Sequence, residues 1–228
     1  MSILMFVMSA LTKRRTRPAG PRRPPPGRRA ERKEATKARI VTAALALFQS
    51  QGFDRTTTKA IARRAGIAEG TVFNYFPTKE DIAMHFFGLE LDHAIATVRG
   101  NRRLKKAPLE EKLFALVQAQ FEYLAPYERF IEAALLHALR PSSKLGPFSM
   151  ESQALHLRYM QFVQELIDQS SSKRDLTALR MWGPRAFWLF YLGMLLYWLH
   201  DTSKNKEDTL AFLDRSLSIG LRLLAGGR

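Results

Sequence analysis

The sequence contains no cysteine, and this absence removes several kinds of site at once. Without thiols the chain can form neither disulfide bridges nor thiolate metal sites, and it has no cysteine nucleophile. A reducing compartment is compatible with this composition, and we expect a cytoplasmic protein. Acidic residues are also scarce, since 21 Asp and Glu stand against 36 Lys and Arg, which gives a net charge of +15.

No apolar run is long enough to cross a membrane as a helix, because such a span needs about 20 residues. The longest candidate, residues 186–199, holds 14 residues between Arg185 and His200. Residues 1–11 are mostly apolar, but their positive charges follow the run, so they make a poor signal peptide. A translation start at Met8 is an open alternative. We expect no membrane partner, and a membrane-associated protein is the competing interpretation of these two segments.

Motifs of common enzyme classes are missing as well. The sequence has no Gly-rich phosphate loop, no nucleophile elbow and no paired metal-ligand motif. Glu110 and Glu111 stand at a predicted helix start, where carboxylates interact favourably with the helix dipole and need no catalytic role. His85 and His93 are two turns apart on one predicted helix and lack a third ligand. The sequence therefore predicts no enzyme, no cofactor and no metal site.

The positive charge is concentrated near the N-terminus. Residues 1–38 hold 11 Lys and Arg against 2 Asp and Glu, whereas residues 39–100 hold 7 against 6. Residues 12–29 offer almost no apolar side chains for burial, so we expect a disordered basic extension over residues 1–30. Such an arm could follow DNA phosphates or enter a minor groove. A solubilising tail without specific contacts is the alternative.

Residues 57–80 have the pattern of two short helices around a tight turn. Thr57 or Thr58 can cap the first helix, and Gly66 can end it in a left-handed conformation. Pro77 stops the second helix. The layout is typical of a helix-turn-helix that presents its second helix to the major groove of DNA. The side chains expected to pack inward are Ile61, Ala62, Ala65, Val72, Phe73 and Phe76.

The outward side chains of this segment suit contacts with DNA. Gly70 lets the backbone approach closely, Asn74 can donate to and accept from a base, and Thr71 can contact a thymine methyl. Lys79 stands at a predicted helix N-terminus and suits a phosphate. The predicted DNA-binding residues are Thr58, Lys59, Glu69, Gly70, Thr71, Asn74, Tyr75 and Lys79. A solvated surface with no partner is the alternative.

The order and spacing of residues 36–84 resemble the N-terminal domain of TetR-family transcriptional regulators. Phe73 departs from the resemblance, because the family usually has Tyr there; Tyr75 could supply the missing phosphate contact. The resemblance implies a ligand-responsive repressor that binds an inverted-repeat operator as a dimer, with an activator as the alternative. The motifs that carry it are Arg39-Ile40-Val41, Ala43-Ala44, Leu47-Phe48, Gly52-Phe53, Thr57-Thr58, Ile61-Ala62, Ala65-Gly66-Ile67, Gly70-Thr71-Val72-Phe73, Tyr75-Phe76 and Lys79-Glu80.

The remaining pattern is helical, and no segment alternates like a strand. We predict an all-α fold with a three-helix helix-turn-helix DNA-binding domain over residues 31–84 and a helical ligand-binding and dimerisation domain over residues 85–228. The first helix is expected to start at Glu31 or Lys33. A fourth helix, from Lys79 to about Val98, is expected to leave the DNA-binding domain, and its inward side chains are predicted to be Ile82, Phe86 and Leu89.

Two late segments, residues 186–199 and 209–224, are predicted to be helices that pair with their copies in a four-helix dimer interface. The predicted interface residues are Leu195, Trp198, Leu210, Leu213, Leu217 and Leu221. By resemblance, the C-terminal domain is expected to hold a small apolar or aromatic effector. The candidate pocket residues are Phe121, His137, Tyr159, Trp182, Trp188 and Tyr191. The alternative is that these aromatic side chains only fill the core.

Overall fold

The computed structural model describes residues 26–146, 149–170 and 177–224. The chain divides into a short unit over residues 1–36 and a large unit over residues 37–228. Every regular element within the described ranges is a helix, which confirms the predicted all-α fold. In the same ranges, no helix combines the length and the apolar character that a bilayer crossing requires.

The described residues form nine α-helices and three short 3-10 turns. The helices of the N-terminal half are α1 (Pro26–Gln51), α2 (Thr58–Ala65), α3 (Glu69–Tyr75), α4 (Lys79–Gly100) and α5 (Leu109–Leu124). Those of the C-terminal half are α6 (Glu128–Ala138), α7 (Met150–Asp168), α8 (Thr177–His200) and α9 (Glu207–Leu224). The 3-10 turns are Leu104–Lys106, Ala125–Tyr127 and Lys204–Lys206.

Helix α1 begins earlier than the sequence pattern predicts. The expected start was Glu31 or Lys33, with a disordered extension through residue 30, but residues 26–30 are already helical. The prediction is wrong there because Pro26 fits a first helical turn and the Arg and Ala residues that follow favour a helix. The rest of the predicted extension, residues 1–25, lies outside the described part of the chain.

The large unit has an aromatic centre that joins α1 to α6. Phe48 of α1 is 1% exposed and stacks on Phe130 of α6, with 4.8 Å between ring centroids. Phe53, in the loop after α1, packs against Phe48 at 4.9 Å. The backbone N–H of Phe130 donates to Gln49 Oε1 at 3.2 Å, and the Gln49 amide in turn donates to the carbonyl of Pro126. The end of α1 is therefore held to the start of α6.

Helix α4 runs through the predicted domain boundary at residue 84 without a break. Its start is fixed by a capping box, which the sequence pattern Thr78-Lys79-Glu80-Asp81 predicts. Thr78 Oγ1 accepts from the backbone N–H of Asp81 at 3.3 Å, and the Asp81 carboxylate accepts from the backbone N–H of Thr78 at 2.8 Å. This reciprocal pair satisfies two donors that a helix start otherwise leaves without partners.

The inward face of α4 differs from the prediction at one position. Ile82 and Phe86 are buried as expected, but Leu89 is 38% exposed. Glu90 is only 4% exposed and takes the inward place. The cause is that α4 packs against both α5 and α7, so its buried face is wider than a single stripe of apolar residues suggests.

Helix α8 starts at Thr177, well before the predicted segment at residues 186–199, and it continues through Gly183 and Pro184. A Cβ added at Gly183 would lie 3.0 Å from carbon atoms of both Ile167 and Leu179, so this glycine allows α8 to pack closely on α7. The serine-rich residues 170–174 predict a loop before this helix, but apart from Ser170 they lie outside the described residues.

Candidate nucleic-acid interface and internal cavity

The turn between α2 and α3 is built from local bonds and one long-range anchor. Thr57 Oγ1 accepts from the backbone N–H of Ala60 at 3.2 Å and so caps α2. Gly66 ends the helix at φ 65°, a left-handed conformation that favours glycine. Arg39 of α1 donates through Nη2 to the carbonyl of Ala65 at 2.5 Å. The angle between the two short helices is therefore held from both the local turn and α1.

Helix α3 is attached to the core by two side chains one turn apart. Val72 is fully buried and Phe76 is 5% exposed, as the sequence predicts. Phe73 was also expected to pack inward, but it is 46% exposed. In a helix of this length, anchors at positions i and i+4 turn the residue after the first anchor away from the core. Phe73 is thus a surface side chain.

The outer face of α3 carries the predicted DNA-reading residues. Gly70 and Asn74 are exposed, while Thr71 and Tyr75 are partly buried. A Cβ at Gly70 would meet no atom within 4 Å, so the fold itself does not require a glycine there. Thr71, Asn74 and Phe73 lie within one helical turn of each other, and together with Gly70 they form a small, uncharged surface.

The remaining predicted contacts lie on α2 and at the helix starts. Lys59 is exposed on the first turn of α2. Thr58 donates through Oγ1 to Glu69 Oε1 at 3.2 Å, which links the starts of α2 and α3. Arg63 and Arg64 are also exposed on α2 and add positive charge beside this surface.

Lys79 has partners within the protein. Its Nζ donates to the carbonyls of Phe53 and Asp54 at 2.8 and 2.9 Å. The same ammonium group lies 4.7 Å from the centre of the Phe53 ring. Three interactions therefore tie the start of α4 to the loop after α1, so this lysine has a structural role that the sequence did not indicate.

A polar joint connects the helix-turn-helix to α6. His137 Nδ1 lies 3.3 Å from Asp54 Oδ1, and its Nε2 lies 3.3 Å from Glu80 Oε1. Arg140 donates to both oxygens of Asp54, at 3.2 and 2.9 Å, and its hydrogen bond is the main reason that the pKa of Asp54 is lowered. Because Asp54 and Glu80 lie on either side of α2 and α3 in the sequence, His137 contacts both ends of that segment.

A second polar pair lies next to this joint. Lys144 Nζ donates to both carboxylate oxygens of Asp81, at 2.8 and 3.0 Å. Burial opposes ionisation of Asp81, but the hydrogen bonds from Lys144 and Thr78 outweigh it and lower the pKa of the carboxyl. The loop between α6 and α7 is thereby held against the first turn of α4.

A partly open cavity of about 140 Å³ lies between the C-terminal helices α4, α5, α6, α7 and α8. Its wall is mostly aliphatic and aromatic, and it includes Phe87, Tyr159, Trp188 and Tyr191. Among the described residues that line it there is no Lys, Arg or His. The cavity thus suits an apolar or aromatic molecule.

Glu90 is the single acidic side chain among those lining residues. Burial raises its pKa to about 8, although a hydrogen bond from Gln120 acts in the opposite direction. Glu90 Oε1, Gln120 Oε1 and the Tyr159 hydroxyl are buried and have no hydrogen-bond partner among the described residues. Neither Glu90 nor Gln120 was among the residues predicted to line the pocket, although Glu90 stands out in the sequence as a lone acid in the apolar run of residues 86–91.

Three of the six candidate pocket residues, Tyr159, Trp188 and Tyr191, line this cavity. The other three lie elsewhere. Phe121 is buried in a stack with Trp198, with 5.2 Å between ring centroids, and His137 belongs to the polar joint described above. Trp182 is 58% exposed on the early part of α8. Aromatic content alone could not separate cavity wall from core and surface.

The predicted interface residues belong mostly to the core of one chain. Leu195, Trp198, Leu213 and Leu217 are each at most 5% exposed without any partner, so their assignment to a dimer surface is wrong. They face α5 and each other because α9 packs on both α5 and α8. Leu210 and Leu221 are partly buried. The exposed large apolar side chains of α8 and α9 within the described residues are Met181, Trp182, Leu189, Leu196, Tyr197, Phe212, Ile219 and Leu223.

Comparison with known families agrees with this architecture. The family of bacterial regulatory proteins called tetR matches residues 40–84, and the tetracyclin repressor-like C-terminal domain matches residues 112–227. The second match alone spans half of the chain, and the first coincides with the helix-turn-helix. The chain therefore belongs to the TetR family of DNA-binding bacterial transcriptional regulators.

Individual relatives are more distant. A fatty acid metabolism regulator protein of Bacillus subtilis (strain 168) is 31% identical over 86 residues, which are 38% of this chain and 44% of that protein. The chain thus aligns with less than half the length of that relative.

Two solved structures share the fold. A TetR regulator from Nitrosomonas europaea has a TM-score of 0.65 at 16% identity, covering 81% of this chain and 97% of that one. The FadR repressor of Thermus thermophilus, solved with lauroyl-CoA, has a TM-score of 0.59 at 26% identity, covering 84% and 94%.

Proposed function

We propose that this protein is a ligand-responsive repressor that binds an inverted-repeat DNA operator as a homodimer in the cytoplasm. The observation that carries the proposal is the division of α3 into two faces. Val72 and Phe76 hold the helix to the core, while Gly70, Phe73 and Asn74 are exposed. Repression requires only that the operator be occupied, and the T. thermophilus relative is itself a repressor.

The outer face of α3 would read the bases. Asn74 can pair with an adenine edge, and Phe73 and the Thr71 methyl can contact thymine methyl groups, while Gly70 leaves room for close approach. Phosphate contacts fall to Lys59 and other exposed groups around this face, which position the helix without reading sequence. Of the predicted contacts, Thr58, Glu69 and Tyr75 are partly buried and would act at the edge of the interface, whereas the Lys79 ammonium group is bonded to carbonyls of the protein.

The second copy of the chain would dock on the exposed apolar side of α8 and α9. Leu189 and Leu196 are seven residues apart on α8, and Phe212 and Ile219 are seven apart on α9, so each pair lies on one side of its helix. These four side chains are between 45% and 68% exposed. Two copies related by a two-fold axis would form a four-helix interface and place two α3 helices on half-sites about 34–36 Å apart, or at a longer spacing.

An apolar or aromatic effector in the cavity would weaken DNA binding. Helix α4 contributes part of the cavity wall, and its first turn is bonded to both the loop after α1 and the loop after α6. A molecule that moves α4 would shift the helix-turn-helix through these bonds and change the distance between the two α3 helices. The acyl-CoA bound by the T. thermophilus relative shows that a long apolar chain can be accommodated in that protein of similar fold.

The proposal is tested by in vitro selection of DNA with the purified protein. We expect enrichment of an inverted repeat. The matched variant is Gly70→Ala, because the added methyl meets no protein atom and should leave thermal stability unchanged or raise it by up to about 1 kcal/mol. The same variant should bind the selected repeat about tenfold more weakly, since the methyl would occupy space needed by the DNA. Salt-sensitive binding without any enriched sequence would contradict the proposed function.

A further inference from the structure

The cavity combines an apolar wall with unpaired hydrogen-bond acceptors. Glu90 Oε1 and Gln120 Oε1 are buried oxygens without a partner among the described residues, and both residues line the cavity. A buried polar atom without a hydrogen bond costs free energy that a suitable partner would recover. Tyr159 adds a hydroxyl in the same condition. The site therefore favours a ligand that brings N–H or O–H donors.

The charge of the wall restricts the ligand further. The described lining residues include one carboxyl and no Lys, Arg or His, so a carboxylate or phosphate inside the cavity would find no counter-ion. A cation would find Glu90, and also the aromatic rings of Tyr159, Trp188 and Tyr191. Such rings attract cations through their negative faces, and the attraction grows when water is excluded.

We propose that the effector of this protein is an amphipathic amine, whose ammonium group binds Glu90 and Gln120 while its apolar body fills the rest of the cavity. The inference rests on the proposed function, because it assigns a chemical class to the effector of that regulator. Glu90 accepts the ammonium through the oxygen that is otherwise unpaired, and Gln120 contributes a second acceptor.

Proton linkage gives the proposal a distinct signature. The pKa of Glu90 in the empty cavity is about 8, so the carboxyl is mostly protonated at neutral pH and must lose its proton to pair with an ammonium ion. The affinity for an amine should therefore rise by nearly tenfold per pH unit below this pKa and level off above it. An alkylamine stays charged through this range, because its own pKa is near 10. A neutral ligand that accepts a hydrogen bond from the protonated acid would show the reverse dependence.

The test is calorimetric titration with three probes of one shape, 4-phenylbutylamine, 4-phenylbutan-1-ol and 4-phenylbutanoate, and with lauroyl-CoA as a fourth. The proteins are the full chain, Glu90→Gln and, as a control, Glu132→Gln, which changes an exposed carboxyl on α6 away from the cavity. Each titration is run at about pH 6, pH 7 and pH 8.5, on either side of the pKa of Glu90.

We expect the unchanged protein to bind the amine at least about tenfold more tightly than the alcohol at pH 8.5, and the carboxylate most weakly. Glu90→Gln should lose about tenfold or more in amine affinity together with its pH dependence, while its alcohol affinity stays within about threefold. Glu132→Gln should behave like the unchanged protein. Equal binding of amine and alcohol, an amine affinity that does not respond to Glu90→Gln, or tight binding of lauroyl-CoA alone would overturn the proposal.

The titrations contain no DNA, so their result is independent of the DNA selection that tests the proposed function. An inverted repeat that is selected by a protein unable to bind the amine would leave the regulator in place and remove only the effector class. Amine binding that depends on Glu90, without any selected DNA sequence, would instead establish the ligand site and contradict the regulator.

Discussion

Polar groups are hydrogen-bonded to a different extent in two regions, the DNA-reading segment of residues 37–84 and the helices that follow it. In the first, Thr57 and Arg39 bond to backbone groups that the short helix α2 leaves open, and Lys79 bonds to carbonyls of the loop after α1. In the second, four buried side-chain atoms have no partner among the described residues, on Glu90, Gln120, His156 and Tyr159. Eight of the fourteen exposed large apolar side chains among the described residues lie on α8 and α9 of this second region.

This difference reflects what each region must do. A segment that reads DNA has to hold one rigid shape, and saturated hydrogen bonds provide it. A region that binds a ligand and a second subunit leaves some polar atoms and some apolar side chains without partners in its own chain. Binding sites are therefore expected where buried polar atoms lack hydrogen bonds or where large apolar side chains are exposed.

The largest effect is expected at the dimer face. Replacing Leu196 and Ile219 together by Glu should give monomers, because both side chains are more than half exposed and a buried pair of carboxylates would oppose docking. The loss of one of two linked half-site contacts should weaken operator binding at least about 100-fold. Analytical ultracentrifugation measures the first effect and a gel-shift titration the second. The control is Leu157→Glu, which changes a leucine of similar exposure on α7; a dimer that survives the double change would refute this interface.

The next largest effect is expected in the DNA-reading segment, residues 37–84. Asn74→Ala should weaken binding to the selected operator by about 1–3 kcal/mol, or roughly 5–150-fold, and relax selectivity at one base position. Binding to a scrambled sequence should be nearly unchanged, because Asn74 would contact a base and not a phosphate. Competition binding with single-base operator variants measures both. An equal loss on operator and scrambled DNA would mean that this side chain only positions the helix.

Lys79→Ala separates stability from DNA contact. Removing the ammonium group leaves the carbonyls of Phe53 and Asp54 without their donor, so we expect a loss of about 2 kcal/mol in unfolding free energy. For a chain of this size that corresponds to a fall of about 4–8 °C in Tm. Lys59→Ala is the matched control, since Lys59 is exposed: it should keep its Tm and reduce affinity for all DNA alike. If Lys79→Ala keeps the full Tm and loses DNA affinity, the earlier phosphate prediction for this residue is the right one.

The last experiment tests the ionisation of Glu90, whose buried Oε1 has no partner among the described residues, through the pH dependence of stability. The pKa of Glu90 is about 8 in the folded protein against 4.5 for a free side chain, so folding takes up a proton between these values. Stability from this group is complete below about pH 4.5 and is lost as the pH rises through 8, by about 1 kcal/mol per pH unit. Glu90→Gln should remove that loss. Urea unfolding at about pH 5 and pH 8 measures it as the difference between variant and unchanged protein, which cancels the opposite slope from His156, whose pKa burial lowers. Equal pH dependence in both proteins would show that Glu90 ionises freely.

Features that depend only on residues close together in the chain could be predicted from the sequence. The Thr57 cap, the left-handed Gly66 and the box of Thr78 with Asp81 are all local arrangements, and all three were predicted correctly. Leu213 and Leu217 show the limit of this reasoning. A stripe of leucines predicts that one face of a helix is buried, but it does not indicate whether the same chain or a second copy covers that face.

The burial of two further side chains also depends on packing between helices that are distant in the sequence. Phe73 is exposed and Glu90 is buried, although each residue type prefers the opposite environment. The direction of a side chain depends on how the helix is rotated, and the rotation is set by anchors on other helices. For α3 these anchors are Val72 and Phe76, and for α4 they come from packing against α5 and α7.

The attachment of α3 through one face also bears on how such proteins diversify. Because Gly70, Phe73 and Asn74 are exposed on the other face, they can be exchanged while the buried anchors stay the same. A duplicated gene could then acquire a new target through a few substitutions, each with little effect on folding. The same property makes this face a natural place for a protein engineer to install a library of altered specificities.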